Sequence, residues 1–118
     1  MVRPILKMLM SPDLFDIEEG GVPADVESFA ILVQCLIGEE GPAADTFDLV
    51  VLSPDQMAAQ MPASGVLSGR GFLLMTRYDP LLLRSTVERW VQEAEASDWR
   101  AAAERLCRHM IWEYEGEQ

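Results

Sequence analysis

From Met8 to Gly69 the chain contains no lysine and no arginine. Its nine basic residues are Arg3 and Lys7 near the start and seven arginines from Arg70 onward. His109 is the one histidine, and Cys35 and Cys107 are the two cysteines. Each scarcity excludes something. A long stretch without cations has nothing to offer a phosphate backbone or an anionic headgroup, so direct binding of nucleic acid or membrane is not expected. Two isolated thiols on apolar segments do not make a disulfide scaffold, and they fit a reducing, cytoplasmic setting. No Cys or His pair has metal-ligand spacing, and no metal or other cofactor is expected. No apolar run is long enough to span a membrane. Ile5 to Met10 is apolar but broken by Lys7 and followed at once by Ser11-Pro12-Asp13, which does not suit a secretory signal.

What is present is acid. The cation-free stretch holds eleven carboxylates: Asp13, Asp16, Glu18, Glu19, Asp25, Glu27, Glu39, Glu40, Asp45, Asp48 and Asp55. From residue 70 the balance is near even, with nine acids against seven arginines. The net charge of −11 therefore sits in one part of the chain. Such a field improves solubility whatever the function, and it favours a basic partner. With 118 residues, 49% of them apolar, the chain suits one domain, 1–118, with its own core.

Hydrophobic patterning places strands first. Ile5–Met10 is short and ends in a proline turn. Phe29–Ile37 sets Phe29, Ile31, Val33, Cys35 and Ile37 on one side and Ala30, Leu32 and Leu36 on the other. That pattern suits a central strand covered on both faces or nearly so. Phe47–Leu52 follows, with Asp48 the one charge facing away from Phe47, Leu49 and Val51. Gly71–Thr76 comes after a Gly/Ser-rich loop. Ser53-Pro54-Asp55-Gln56 reads as a helix start with Ser53 as N-cap and Gln56 closing a capping box, and Pro62 keeps that helix short.

Helices come next. Asp79-Pro80 opens one with Leu83, Val87, Trp90, Val91 and Ala94 on its buried stripe. Ser97-Asp98 opens another with Trp99, Ala102, Ala103, Leu106 and Met110. In the tail, Trp112 and Tyr114 alternate with Glu113 and Glu115, as in a half-buried strand over Ile111–Glu115, with Gly116-Glu117-Gln118 loose. Helix continuation is the alternative. The order predicts an α+β fold: a mostly antiparallel sheet of four to five strands with two C-terminal helices on one face.

No catalytic constellation emerges. A lone histidine beside an apolar helix face is more often structural, and Cys107 two residues from His109 points elsewhere on a helix. Asp13, Asp16 and Glu18 lack the alternating ligand pattern of a calcium loop. Gly65–Gly71 lacks the Lys-Ser/Thr of a phosphate loop and precedes a strand, so it reads as a connection. Trp90 and Trp99 lie on core stripes, which leaves no aromatic cage.

Three stretches together carry a resemblance. They are Phe47-Asp48-Leu49-Val50-Val51-Leu52-Ser53-Pro54; Gly69-Arg70-Gly71-Phe72-Leu73-Leu74-Met75 with Tyr78-Asp79; and Ser97-Asp98-Trp99 running on to Leu106-Cys107-Arg108 and Ile111-Trp112-Glu113-Tyr114-Glu115. With Ser11-Pro12-Asp13 and Leu36-Ile37-Gly38, the series resembles the immunity protein 8 family of bacterial polymorphic-toxin systems over nearly the whole chain. One departure is that Glu39-Glu40 follows Ile37-Gly38, where the family pattern reads Ile-Gly-Pro.

The resemblance implies a non-enzymatic cytoplasmic protein that binds a cognate toxin effector domain and blocks it; apart from the resemblance, monomer and homodimer both stay open, since a paired strand edge could support a dimer. A basic toxin, such as a nuclease, suits the acidic stretch, and the contact set expected on charge is Asp13, Asp16, Glu18, Glu19, Glu39, Glu40, Asp45 and Asp48. Two other readings stay open: an acidic adaptor for another basic partner, and a carboxylate-based hydrolase.

Overall fold

The computed structural model describes residues 1–116; the expected loose end, Glu117 and Gln118, lies outside the described residues. Strand β1 (Ile5–Met10) leads through a single 3-10 turn (Ile17–Glu19) to β2 (Ala30–Gly38) and β3 (Asp45–Leu52). Helix α1 (Pro54–Ala59), strand β4 (Phe72–Leu74), helices α2 (Pro80–Glu93) and α3 (Trp99–Leu106), and strand β5 (Ile111–Trp112) follow. The architecture is α+β, with one five-stranded, mostly antiparallel sheet.

Strand β2 pairs antiparallel with β1 on one side and with β3 on the other, from Ala30↔Leu52 to Ile37↔Asp45. The far edge of β3 is divided. Phe47 and Asp48 pair antiparallel with Trp112 and Ile111 of β5, while Val50, Val51 and Leu52 pair in parallel with β4. Gly71 sits in the seam between them. Its φ of +90° and an Ile111 side-chain carbon 2.8 Å from where a Cβ would stand both require glycine. At the opposite edge, β1 is interrupted by a register shift at Lys7. The Glu18 carboxylate accepts the Leu9 N–H at 3.1 Å there, so this edge is partly blocked to another strand.

One face of the sheet is the core. Val33, Cys35, Ile37, Phe47, Leu49 and Val51 are fully buried. They pack with Leu83, Val87, Trp90 and Val91 of α2 and Ala103 and Leu106 of α3. The expected helix stripes are thus met. Asp79 caps α2 by accepting from Leu81 N at 3.0 Å and Leu82 N at 3.2 Å, and Asp98 caps α3 by accepting from Ala101 N at 2.8 Å.

Three local expectations are corrected. Strand β2 is covered on one face only: Leu32, Gln34 and Leu36 are half-buried and Ala30 is exposed, because both long helices lie on the other side. Ser53 occupies the N-cap position of α1 without capping it. Its buried hydroxyl accepts the Phe29 N–H at 3.0 Å and bonds the Asp55 carboxylate, while Gln56 donates to Ser28 at 3.2 Å. The tail strand is shorter than its alternation suggests. The Glu113 N–H still reaches Thr46 O at 3.0 Å, but β3 begins at Asp45 and offers no further rungs. The chain turns instead, and Tyr114 is exposed, edge-on to Trp112 with ring centres 5.9 Å apart.

Trp112 is buried, stacked on Phe47 at 6.2 Å and lying beneath Arg100. Trp112→Ala is expected to lower unfolding free energy by about 3–5 kcal/mol, and truncation before Trp112 by at least as much. Urea unfolding checks both; an unchanged midpoint would contradict the role of β5.

Candidate functional site

The eight acids expected at a partner surface fall into three places. Asp13, Asp16, Glu18 and Glu19 lie in the segment after β1, which returns along the outer edge of β1 and β2; Glu39 and Glu40 lie in the β2–β3 turn. Asp45 and Asp48 belong to β3. The acids therefore do not meet in one cluster.

Several carboxylates are engaged within the protein. Asp45 points to the core side and accepts from both Trp99 Nε1, at 2.8 Å, and Trp112 Nε1, at 2.9 Å. One carboxylate thus binds α3 and β5 to the start of β3. Glu18 pairs with Arg84 of α2 as well as the Leu9 N–H. Asp13 accepts the Leu32 N–H at 2.7 Å, continuing the edge of β2 where β1 has ended. Asp16, Glu19, Glu39 and Glu40 are exposed and make no ion pair among the described residues. Phe15, 93% exposed, stands between Asp13 and Asp16.

Asp48 differs from all of these. It alternates with Phe47 and Leu49 and so lies on the face away from the helices, opposite Gln34 of β2 and Ile111 of β5. Its Oδ1 is shielded from solvent and has no hydrogen-bond partner among the described residues. Leaving such an oxygen unpaired costs about 1–3 kcal/mol, more when it is charged. Around it the face is apolar: Met8 and Met10 of β1, Val50 of β3, Leu74 of β4 and Ile111 are each between 37% and 48% exposed. Leu32, Leu36 and Phe72 are half-buried on the same face. Charge was the signal followed in the sequence, and it passed over these residues. The usable signal was Leu32, Leu36 and Val50, a second apolar face on two strands for which the chain supplies no second layer of long helices.

The histidine and the two thiols are engaged within the fold. His109 lies flat on Trp90, with ring centres 4.2 Å apart and planes 2° from parallel, and its burial lowers its pKa. Burial pushes the Cys35 thiol up to about 12 and the Cys107 thiol up to about 11, the latter with Glu115 adding to the effect. Neither thiol is a nucleophile at neutral pH. No group of three or more His, Cys, Asp or Glu among the described residues has metal-binding geometry. Glu39, Glu40, Asp45 and Trp99 line an open cleft of about 220 Å³, with Asp45 already committed to its two indoles. No helix among the described residues is long and apolar enough to cross a membrane.

A family model for immunity protein 8 matches residues 6–116. The chain belongs to the immunity protein 8 family. Membership implies an immunity protein of a polymorphic-toxin system, one that binds a cognate toxin. No curated protein and no solved structure matches the chain. The family match covers every strand and helix except the first residue of β1, so the sheet and its two faces are family structure rather than an appendage.

Two outcomes follow from the geometry. Asp45→Ala leaves two indole N–H groups without their acceptor and is expected to cost about 1–3 kcal/mol for each, measured by urea unfolding. Arg70 bonds both the Met110 carbonyl, at 2.8 Å, and the Glu115 carboxylate, and this holds the Glu115 pKa below the usual range. A carboxylate depressed in the folded state stabilises fully above the ordinary glutamate range, and that stability is lost as pH falls through its folded pKa. Glu115→Gln is therefore expected to melt lower than wild type at pH 7, with the gap closing below about pH 4. A gap independent of pH would contradict the ion pair's contribution.

Proposed function

We propose that this immunity protein neutralises its toxin by binding the toxin domain directly and covering its active site or substrate groove, with carboxylates at the partner surface. The observation that carries this reading is the family match together with the charge partition. Asp16 and Glu19 beside the β1 edge and Glu39 and Glu40 in the β2–β3 turn stay exposed and without an ion pair among the described residues, in a stretch from Met8 to Gly69 without one lysine or arginine; the nearest cation is Lys7 in β1. That lysine is itself turned onto the Gly41 and Ala43 carbonyls of the β2–β3 turn. Toxins that cut nucleic acid need a basic groove. An acidic inhibitor is steered to such a groove, which raises the association rate and makes it depend on salt.

Inhibition by occlusion needs no catalytic group, cofactor or metal in the inhibitor. The stacking of His109 and the raised thiols favour this reading over an enzyme that works through His109 or a cysteine. An acidic adaptor for another basic partner would share the electrostatics but would not protect a cell from a toxin.

The experiment uses the toxin domain encoded beside the chain's own gene. Co-expression is expected to rescue growth, and association measured from low to high salt is expected to slow steeply. Glu19→Gln, Glu39→Gln and Glu40→Gln together are expected to lower the association rate about tenfold at low salt. Glu18 is left out because its pairing with Arg84 and Leu9 would confound binding with folding. Rescue by co-expression with salt-independent binding, unchanged in the triple variant, would overturn the electrostatic form of the reading.

A further inference from the structure

The face of the sheet opposite the helices combines two features that are costly for a protein in isolation. It exposes an apolar surface made by four strands and β5, and at its centre it holds a carboxylate oxygen that is shielded and unpaired. Strand spacings give this face about 20 by 25 Å, or about 500 Å². That is the size of the central part of an ordinary interface, for which each partner contributes about 800 Å². We propose that this open face is the surface on which the toxin domain docks, through an apolar patch that carries a cation, arginine by preference, aimed at Asp48. The proposal rests on the immunity reading above and gives it a location.

The choice of occupant follows from charge. Of the strand positions that register places on this face, Met8 and Met10, Leu32, Gln34 and Leu36, Thr46, Asp48 and Val50, and Ile111, with Phe72 and Leu74 at the margin, none is a lysine or an arginine; Lys7, in the β1 bulge, is turned onto the Gly41 and Ala43 carbonyls, and Leu52, at the β4 end, is buried. A second copy of the chain would cover the apolar atoms. It would also bury Asp48 without a counter-charge and bring two bodies of net charge −11 together. A basic partner removes both objections. The guanidinium fork also suits the site, because Gln34 stands directly across the ladder from Asp48 and adds a second acceptor beside it.

The scattered acids then acquire a common geometry. Asp13, Asp16 and Glu19 lie in the segment that returns along the outer edge of β1 and β2, and Glu39 and Glu40 lie in the β2–β3 turn at one end of the face. The result is an apolar centre with one half-buried carboxylate and acids at its margin, and an apolar centre within a polar rim is the usual anatomy of a protein interface. The rim sets the rate of encounter and the face sets the lifetime of the complex.

The test measures binding of the toxin domain encoded beside the gene to wild-type chain and to Asp48→Asn, Val50→Glu, Leu74→Glu and, as a control on the helix side, Leu81→Glu. Asp48→Asn is expected to weaken binding by roughly 30-fold or more through faster dissociation, while its melting temperature holds or rises because an unpaired charge has been removed. That opposition separates a docking role from a structural one. Val50 and Leu74 already meet solvent, so their variants are expected to fold, with melting curves as the check, and to bind far more weakly. Leu81→Glu is expected to bind as wild type. Undiminished binding by folded Asp48→Asn, Val50→Glu and Leu74→Glu would overturn the inference and leave the immunity reading intact. Failure of the wild-type chain to bind would overturn both. A dimer of the chain alone in sedimentation, dissolved by Val50→Glu, would assign the face to a second copy and overturn the inference.

Discussion

The edge of β3 that faces away from β2 carries two different strands, and most of the molecule's organisation follows from that division. Phe47 and Asp48 pair with β5, which comes from the end of the chain, and Val50, Val51 and Leu52 pair with β4, which follows the Gly/Ser-rich loop. Gly71 is the only residue type that fits the seam. Arg70 crosses the seam to Met110 and Glu115, and Asp45 at the start of β3 receives the indoles of Trp99 and Trp112. Without this sharing, the C-terminal helices would have no strand on which to close, and the core between Phe47, Trp99 and Trp112 would not form.

The same arrangement explains why the sheet has one bare face. The two long helices both follow β4, and they cover the side that holds Val33, Cys35, Leu49 and Val51. The short helix α1 contributes no buried residue, and the loop after it is exposed along its length. An apolar face left open lowers solubility, and the strong negative charge offsets this by keeping copies apart. On the proposed docking, charge and apolar surface are two parts of one design: repulsion between copies, attraction to a basic partner, and a face on which that partner would be held.

Much of this was legible in the residues. The alternation in β2 and β3, the Asp79-Pro80 and Asp98 helix starts, and the stripes through Leu83–Ala94 and Trp99–Met110 all have short-range causes that a sequence displays directly. The misread parts have long-range causes. Ser53 looks like a helix cap, but its hydroxyl is claimed by Phe29, which lies 24 residues earlier. The tail ends its ladder where β3 runs out of partners, a limit set by residue 45. Apolar residues on both sides of β2 suggested two covering layers, whereas the chain has helices for one. The site expectation followed charge alone, so it grouped Asp45 and Glu18, which hold the fold together, with Asp48, whose Oδ1 has no partner among the described residues.

The central claim is that the toxin is held on the open face of the sheet. The most direct measurement is methyl NMR of the chain titrated with the toxin domain. The account predicts that the methyls of Met8, Met10, Leu32, Leu36, Val50, Leu74 and Ile111 shift or broaden, while those of Val33, Val87 and Leu106 in the core and Leu81 and Leu82 on α2 hold their positions. Shifts concentrated at Leu81 and Leu82, with the open-face methyls unmoved, would contradict it.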